Sequence, residues 1–198
     1  MAILASHNSY SYLKPAELWM YLALPFSRCQ TLSIIEQYEA GVRLFDLRLA
    51  PDEVHGGIRV AHGLVKFRVS PNELNETLKF LNWKGQHEHA KIYVRVLMEP
   101  RKPNTIQEQA FAACCRIIMR RFSNIRFYGG HGAHKENWRI CYFSFIRPNP
   151  SVIEDYSSVK CKGIRKILPR LYARKHNAEI RAEYEASEAF LMIDHIEL

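Results

Sequence analysis

No stretch of the chain holds about 18 consecutive apolar residues, so nothing in it reads as a membrane span. The opening Met1-Ala2-Ile3-Leu4-Ala5 lacks the basic start of a secretory leader, and the polar Ser6-His7-Asn8-Ser9 cuts the apolar run short. No signal peptide is therefore expected here. Localisation stays open: cytoplasmic for a chain complete as it stands, secreted for one from which a leader was removed. No Cys-x-x-Cys pair occurs either. Cys29, Cys114, Cys115, Cys141 and Cys161 are odd in number and irregular in spacing. That excludes a zinc-type pattern and favours free thiols in a reducing compartment over a disulfide framework. Repeats, low-complexity tracts and linkers are missing too, so residues 1–198 read as one domain.

What is present is ordinary for a soluble globular domain: 47% hydrophobic and 24% charged residues. The net charge of +8 is the exception. It implies attraction to nucleic acid, an anionic lipid surface or a phosphorylated ligand, without choosing among them. No nucleic-acid recognition motif accompanies it, so no specific nucleic-acid partner is expected. Much of the charge falls in Lys160–Lys166 and Arg170–Lys175, where a solvated basic face is the simpler reading.

Seven short runs rich in β-branched or aromatic residues read as buried strands: Ala2–Ala5, Arg43–Leu49, Ile58–Ala61, Ile92–Leu97, Ile125–Tyr128, Arg139–Phe145 and Phe190–Ile193. Helical patterns lie between them. Thr31–Ala40 ends at Gly41, a plausible C-cap. Ser70-Pro71-Asn72-Glu73 offers a cap, a first-turn proline and a glutamate for a helix to about Leu81. Asn104 caps a helix through Arg121 whose apolar stripe is Ile106, Ala110, Ala113 and Ile117. Strands alternating with helices give an α/β chain with a parallel sheet, and a compact, irregular TIM-type β/α barrel is the expected architecture.

In such barrels chemistry gathers at the carboxyl ends of the strands. The first strand ends in Ser6-His7-Asn8, and the third in Ala61-His62-Gly63. The second carries Asp46 and Arg48, two apart and so on one face. The last runs into Asp194-His195. Alone, each histidine reads most simply as a polar strand end, and Asp46 with Arg48 as a buried ion pair. Together they assemble two histidines for acid and base roles, carboxylates to orient them, and an arginine for charge developing on a phosphoryl group.

Leu4-Ala5-Ser6-His7-Asn8-Ser9-Tyr10, then Gly41–Arg48, then Ala61-His62-Gly63, resembles the catalytic X region of bacterial phosphatidylinositol-specific phospholipases C. Ser27-Arg28-Cys29-Gln30 fits that family's opening segment, and Phe190–Asp194 resembles its last barrel strand. The resemblance is dense over residues 3–99 and sparse to about residue 188. It implies a distorted β/α barrel and a reaction in which the inositol 2-hydroxyl attacks the phosphorus. His7 is then the general base, His62 the general acid, and Arg48 the holder of the phosphoryl oxygens. Asp194 orients His7, while Asp46 supports His62 and the arginine. The products are diacylglycerol and inositol 1,2-cyclic phosphate, and the partner is a phospholipid.

The calcium-dependent relatives place an acidic residue where Arg48 stands. A guanidinium there supplies the positive charge itself, so no metal or other cofactor is expected. Asn8 is similar to the calcium-dependent branch, whereas many bacterial members carry aspartate. Where those enzymes place an inositol-contacting lysine, this chain has Leu97. Asn8, Glu99, Arg101 and Arg147 are the candidates for substrate contact. The segment Pro15–Phe26, with Trp19, Met20 and Tyr21, reads as a helix that lies in a lipid interface or packs on the barrel. Gly129–His134 lacks phosphate-loop spacing and a metal-ligand set, and reads as a turn. The alternatives are a catalytically silent lipid- or phosphate-binding barrel, or a phosphodiesterase of the same superfamily with another head group. A monomer is expected.

Overall fold

Short apolar runs and capped helices alternate along the computed structural model, which describes residues 3–52, 58–99, 105–129, 153–155, 168–184 and 190–198. The strands are β1 (Ile3–Ser6), β2 (Val42–Pro51), β3 (Ile58–His62), β4 (Val65–Lys66), β5 (Ile92–Met98), β6 (Ile125–Gly129), β7 (Ile153–Asp155) and β8 (Phe190–Ile193). The helices are α1 (Leu24–Ser27), α2 (Ile34–Glu39), α3 (Pro71–His87), α4 (Thr105–Arg121) and α5 (Pro169–Tyr184), with a 3₁₀ turn at Leu18–Leu22. No helix among the described residues is long and apolar enough to cross a membrane.

Six strands run parallel in the order β7-β8-β1-β2-β5-β6. The last strand lies beside the first, which is how a β/α barrel closes. β3 and β4 form an antiparallel hairpin attached to the far end of β2 through Leu49 and Val60.

Alternation along the strands divides the side chains into two sets. Phe45, Leu47, Leu49, Val94, Val96, Leu191 and Ile193 face outward into the main core. There they meet Ile34, Leu78, Leu81, Phe111, Ile118 and Ile180 from the helices. The opposite face begins as a small apolar plug of Ala5, Leu44, Phe190 and Met192, flanked by Ile3 and Tyr93. The same parity, read toward the carboxyl ends, carries His7, Asp46, Arg48, Arg95 and Asp194. The plug closes the bottom of the site those residues build.

Local sequence explains the helix ends. Ser33 caps α2 in a reciprocal box: Glu36 N–H donates to Ser33 Oγ at 3.3 Å, and Ser33 N–H to Glu36 Oε2 at 2.7 Å. Gly41 follows the helix at φ +97°, the left-handed cap position. Ser70 Oγ accepts from Glu73 N–H at 3.0 Å and opens α3.

Several expectations need correction. α3 runs on to His87, beyond the expected end near Leu81, with Gly85 inside it where Asn124 crosses closely. In α4 the buried stripe is Phe111, Cys115 and Ile118, continued by Phe122 just after the helix, while Ile106 and Ile117 are exposed. The stripe read from the sequence was rotated by about one residue, or about 100°. β4, β7 and α5 had no expected counterpart, and the Pro15–Phe26 helix divides into a 3₁₀ turn and a single α-helical turn. Arg139–Phe145, the cap at Asn104, most of Gly129–His134 and the Lys160–Lys166 run lie outside the described residues.

Candidate active site

β1 delivers His7 and then breaks off. His7 N–H still pairs with Ile193 O at 3.0 Å, but Asn8 turns the chain at φ +47°. Ser9 then locks onto β2: its N–H donates to Asp46 O at 2.9 Å, and its Oγ accepts from Asp46 N–H at 2.7 Å. Gln30, wholly buried, clamps the ends of both neighbouring strands. Its Nε2 donates to His7 O and Ile193 O, each at 3.1 Å, and its Oε1 accepts from Ile196 N–H at 3.1 Å.

His7 is fixed at both nitrogens. Nδ1 lies 2.6 Å from Asp194 Oδ1, and Nε2 lies 2.6 Å from Arg48 Nη2. A guanidinium can only donate, so Nε2 accepts, and the ring proton sits on Nδ1 and is given to the Asp194 carboxylate. The histidine is thus a neutral base with its lone pair aimed at the arginine.

Arg48 is held in turn. Its Nε donates to Asp46 Oδ2 at 3.0 Å, and Nη1 lies 3.6 Å from Glu99 Oε1. Asp46 also accepts from Asn8 N–H at 3.1 Å, from Arg95 Nε at 3.0 Å and from Arg95 Nη2 at 2.9 Å. Burial opposes the charge on Asp46, but Arg48 and Arg95 outweigh it and hold the carboxyl far below the usual carboxylate range. Burial likewise works against Arg48, and Asp46 overcomes it to raise the guanidinium's pKa.

His62 stands opposite at the end of β3, its ring edge-on to His7 with centroids 5.7 Å apart. Its Nδ1 donates to Ser27 O at 2.8 Å, which leaves Nε2 unengaged for a proton transfer. Burial, then the positive charge of Arg48 and the neighbouring His7, hold its pKa down at about 3. Cys29 Sγ lies 3.7 Å from His62 Nδ1, and burial pushes that thiol's pKa well up.

No family model matches the chain, and no curated protein matches it in sequence. Solved structures do match. The phosphatidylinositol-specific phospholipase C from Listeria monocytogenes superposes with a TM-score of 0.68, over 98% of this chain and 88% of that one, at 17% identity. Two structures of the phosphatidylinositol-specific phospholipase C from Staphylococcus aureus give TM-scores of 0.61 and 0.63, at 16% and 14% identity. Each covers 99% of this chain and 86% of its own. The fold is theirs. An α/β, TIM-type barrel follows, and what is shared at these identities is the architecture.

Within that barrel the five residues singled out from the sequence, His7, Asp46, Arg48, His62 and Asp194, come together. One expected relationship is different: Asp46 bonds the two arginines and the Asn8 amide, and the Ser27 carbonyl is what orients His62. The reason is parity, since Asp46 points at its strand neighbour Arg95, directly across the β2–β5 ladder. Glu99 reaches the site beside Arg48, and Leu97, buried, pairs with Arg48 in the same ladder. Asn8 is buried, and its side-chain Oδ1 and Nδ2 have no hydrogen-bond partner. Arg101 and Arg147 lie outside the described residues.

Sequence reasoning missed Arg95, Cys29 and Gln30 as parts of the site. Arg95 had a signal, as the one charge inside the apolar run Ile92–Met98. Cys29 and Gln30 had none beyond their place in the opening segment, because a loop side chain carries no periodicity.

Proposed function

We propose that the chain is a metal-independent phosphodiesterase that cleaves phosphatidylinositol-type lipids. The observation that carries this reading is the triangle of His7 Nε2, Arg48 and His62, with one histidine oriented by a carboxylate and the other by a carbonyl.

A phosphodiester entering the triangle takes the Arg48 guanidinium onto its non-bridging oxygens and so frees the His7 lone pair. His7 Nε2 removes the proton of the inositol 2-hydroxyl, and that oxygen attacks phosphorus. The bond to the diacylglycerol oxygen breaks as His62 Nε2 gives it a proton. Diacylglycerol leaves, and inositol 1,2-cyclic phosphate remains; the same histidines with exchanged roles hydrolyse it slowly. Asp194 stabilises the imidazolium formed on His7. The anionic phosphodiester also works against the burial and the cationic surroundings that keep His62 neutral, so that Nε2 takes up a solvent proton before giving one to the leaving oxygen. The unbonded amide of Asn8 and the carboxylate of Glu99 are the substrate contacts on this reading. Arg48 supplies the positive charge that a calcium ion would otherwise bring.

Bilayer contact fits the same surface. Leu18 and Leu22 are 86% and 83% exposed, with Trp19, Tyr21 and Phe26 beside them, and this segment leads directly to Ser27, which holds His62. One barrel domain acting as a monomer completes the proposal. Apolar Leu97 on the site wall favours, as a second reading, a phosphodiester with a different head group.

The deciding experiment is phosphorus NMR with phosphatidylinositol micelles and excess chelator, beside His7→Ala and His62→Ala. A cyclic inositol phosphate signal that survives the chelator and is lost in both variants supports the proposal. Activity that needs calcium or magnesium overturns the metal-free mechanism. Absence of turnover by a folded protein leaves the silent barrel or another head group.

A further inference from the structure

The mechanism makes no use of Cys29, yet its thiol is wholly buried among the catalytic groups. The loop builds it in deliberately: Ser11 Oγ accepts from the Cys29 and Gln30 amides, each at 2.9 Å, and Cys29 O accepts from His195 N–H. Cys29 Sγ, one nitrogen of His7 and one oxygen of Asp194 all lie within 4.8 Å of one another. His62 Nδ1 is 3.7 Å from Sγ. The edges of a tetrahedral zinc sphere with sulfur and nitrogen ligands are about 3.3–3.8 Å. The His7–Asp194 contact of 2.6 Å has to open by only about 1 Å or less.

We propose that Cys29, His7 and Asp194 form a binding site for a soft divalent cation of the zinc class, with solvent as the fourth ligand, which occupies the site in place of the phosphodiester and stops turnover. Thiolate and imidazole ligands select such an ion over calcium or magnesium, which seek oxygen. The proposal is therefore compatible with metal-free catalysis. Thiolate and carboxylate together neutralise the ion, and Arg48 makes way by turning toward Glu99, 3.6 Å from its Nη1.

The protons balance as follows. The Cys29 S–H bond breaks, its proton goes to solvent, and a sulfur–metal bond forms. The Nδ1 proton of His7 moves to its Nε2 as Nδ1 binds. One proton is released per cation, and His7 is left with no lone pair at the position where the base must act. The cation site stands on geometry alone, whereas its effect on turnover rests on the acid–base function proposed above.

The test is titration of the protein with Co²⁺, followed by absorbance and proton release, beside Cys29→Ser, Cys29→Ala and Cys114→Ser/Cys115→Ser. Expected are a thiolate-to-cobalt charge-transfer band with tetrahedral visible bands, and one proton per ion. In both Cys29 variants the band should vanish and affinity should drop more than about 10-fold, the loss that even an outer-shell change causes. The Cys114/Cys115 variant should keep both. A band that persists in the Cys29 variants, or only weak octahedral bands in the unaltered protein, overturns the site. Zinc should then inhibit turnover reversibly, relieved by chelator. Tight thiolate-bound cobalt with undiminished turnover would keep the cation site and overturn the acid–base function.

Discussion

Arg48 Nη2 lies 2.6 Å from His7 Nε2, so the group that is to hold the phosphate caps the lone pair that is to take the proton. On the proposed mechanism, base and electrophile satisfy each other until the anionic substrate separates them. Arg48→Lys keeps a positive charge but loses the fork that grips Asp46 while reaching the substrate. The expected result is a fall in kcat of about 10²–10³, the usual cost of removing one preorganised donor. Circular dichroism should be unchanged. A loss below tenfold, read from cyclic phosphate formation, would mean that a point charge suffices and that the fork is incidental.

Asp194→Asn tests the tautomer. The amide can present its N–H to His7 Nδ1, which moves the ring proton to Nε2 and removes the base. A kcat loss of up to about 10⁴ is expected, with little change in stability. Nitrogen-15 NMR of the histidine rings checks the cause directly. If Nδ1 remains the protonated nitrogen in the variant, the orienting role of Asp194 is wrong.

The pH dependence of stability has a definite sign. His62 binds its proton only near pH 3 in the folded protein, against about 6.5 in the unfolded chain. Between those values the unfolded state carries the extra proton, so stability is lost as pH falls through that window. Asp46, held ionised by Arg48 and Arg95, adds a loss of the same sign below the ordinary carboxylate range. Urea midpoints should decline steadily from neutral pH to about pH 4, and His62→Gln should flatten the upper part of the slope. Bound inorganic phosphate should move the His62 titration upward by about 1–3 pH units, as an adjacent opposite charge does. An unmoved titration would remove the argument that substrate loads the acid.

Asp46 is the buried hub, and Asp46→Asn leaves Arg95 and Arg48 without their carboxylate. Breaking a buried pair in this way costs about 3–5 kcal/mol. Guanidinium denaturation should show it, with loss of activity alongside. A cost below about 1 kcal/mol would mean that the two arginines find other partners.

Gly85 reverses a familiar rule. Alanine in place of a helical glycine normally stabilises by about 1 kcal/mol. Here a Cβ would meet the Asn124 backbone oxygen at 2.6 Å. Gly85→Ala is therefore expected to destabilise by about 1–3 kcal/mol, as an overpacked contact does. A higher melting temperature would show that the crossing relaxes freely.

The sequence made the strand-borne half of this structure readable and left the loop-borne half obscure. β1, β2, β5 and β8 are short apolar runs bounded or interrupted by polar residues, so the shared face of Asp46 and Arg48 and the placing of His7 and Asp194 at strand ends could be read from spacing. α4 misled because its exposed face also carries Ile106 and Ile117, which makes two stripes compete, and only packing against the sheet decides between them. Val65–Lys66 and Ile153–Asp155 are two and three residues long, too short for any period to show. Arg48 was legible as a partner of Asp46, but Arg95 in place of His62 was not, because that depends on which residue of β5 lies opposite, a matter of register between strands about fifty positions apart.

His7 and Asp194 are 187 positions apart, and the strands that carry them, β1 and β8, are paired neighbours. Loop-closure entropy makes contacts of such separation slow to form. His7, the base on the proposed mechanism, acquires its carboxylate in the same event that zips these two strands together. A chain that has folded most of its helices and lacks this one pairing holds a histidine with no fixed tautomer. Recovery of activity on refolding should therefore lag behind recovery of helical signal, and report the final long-range pairing.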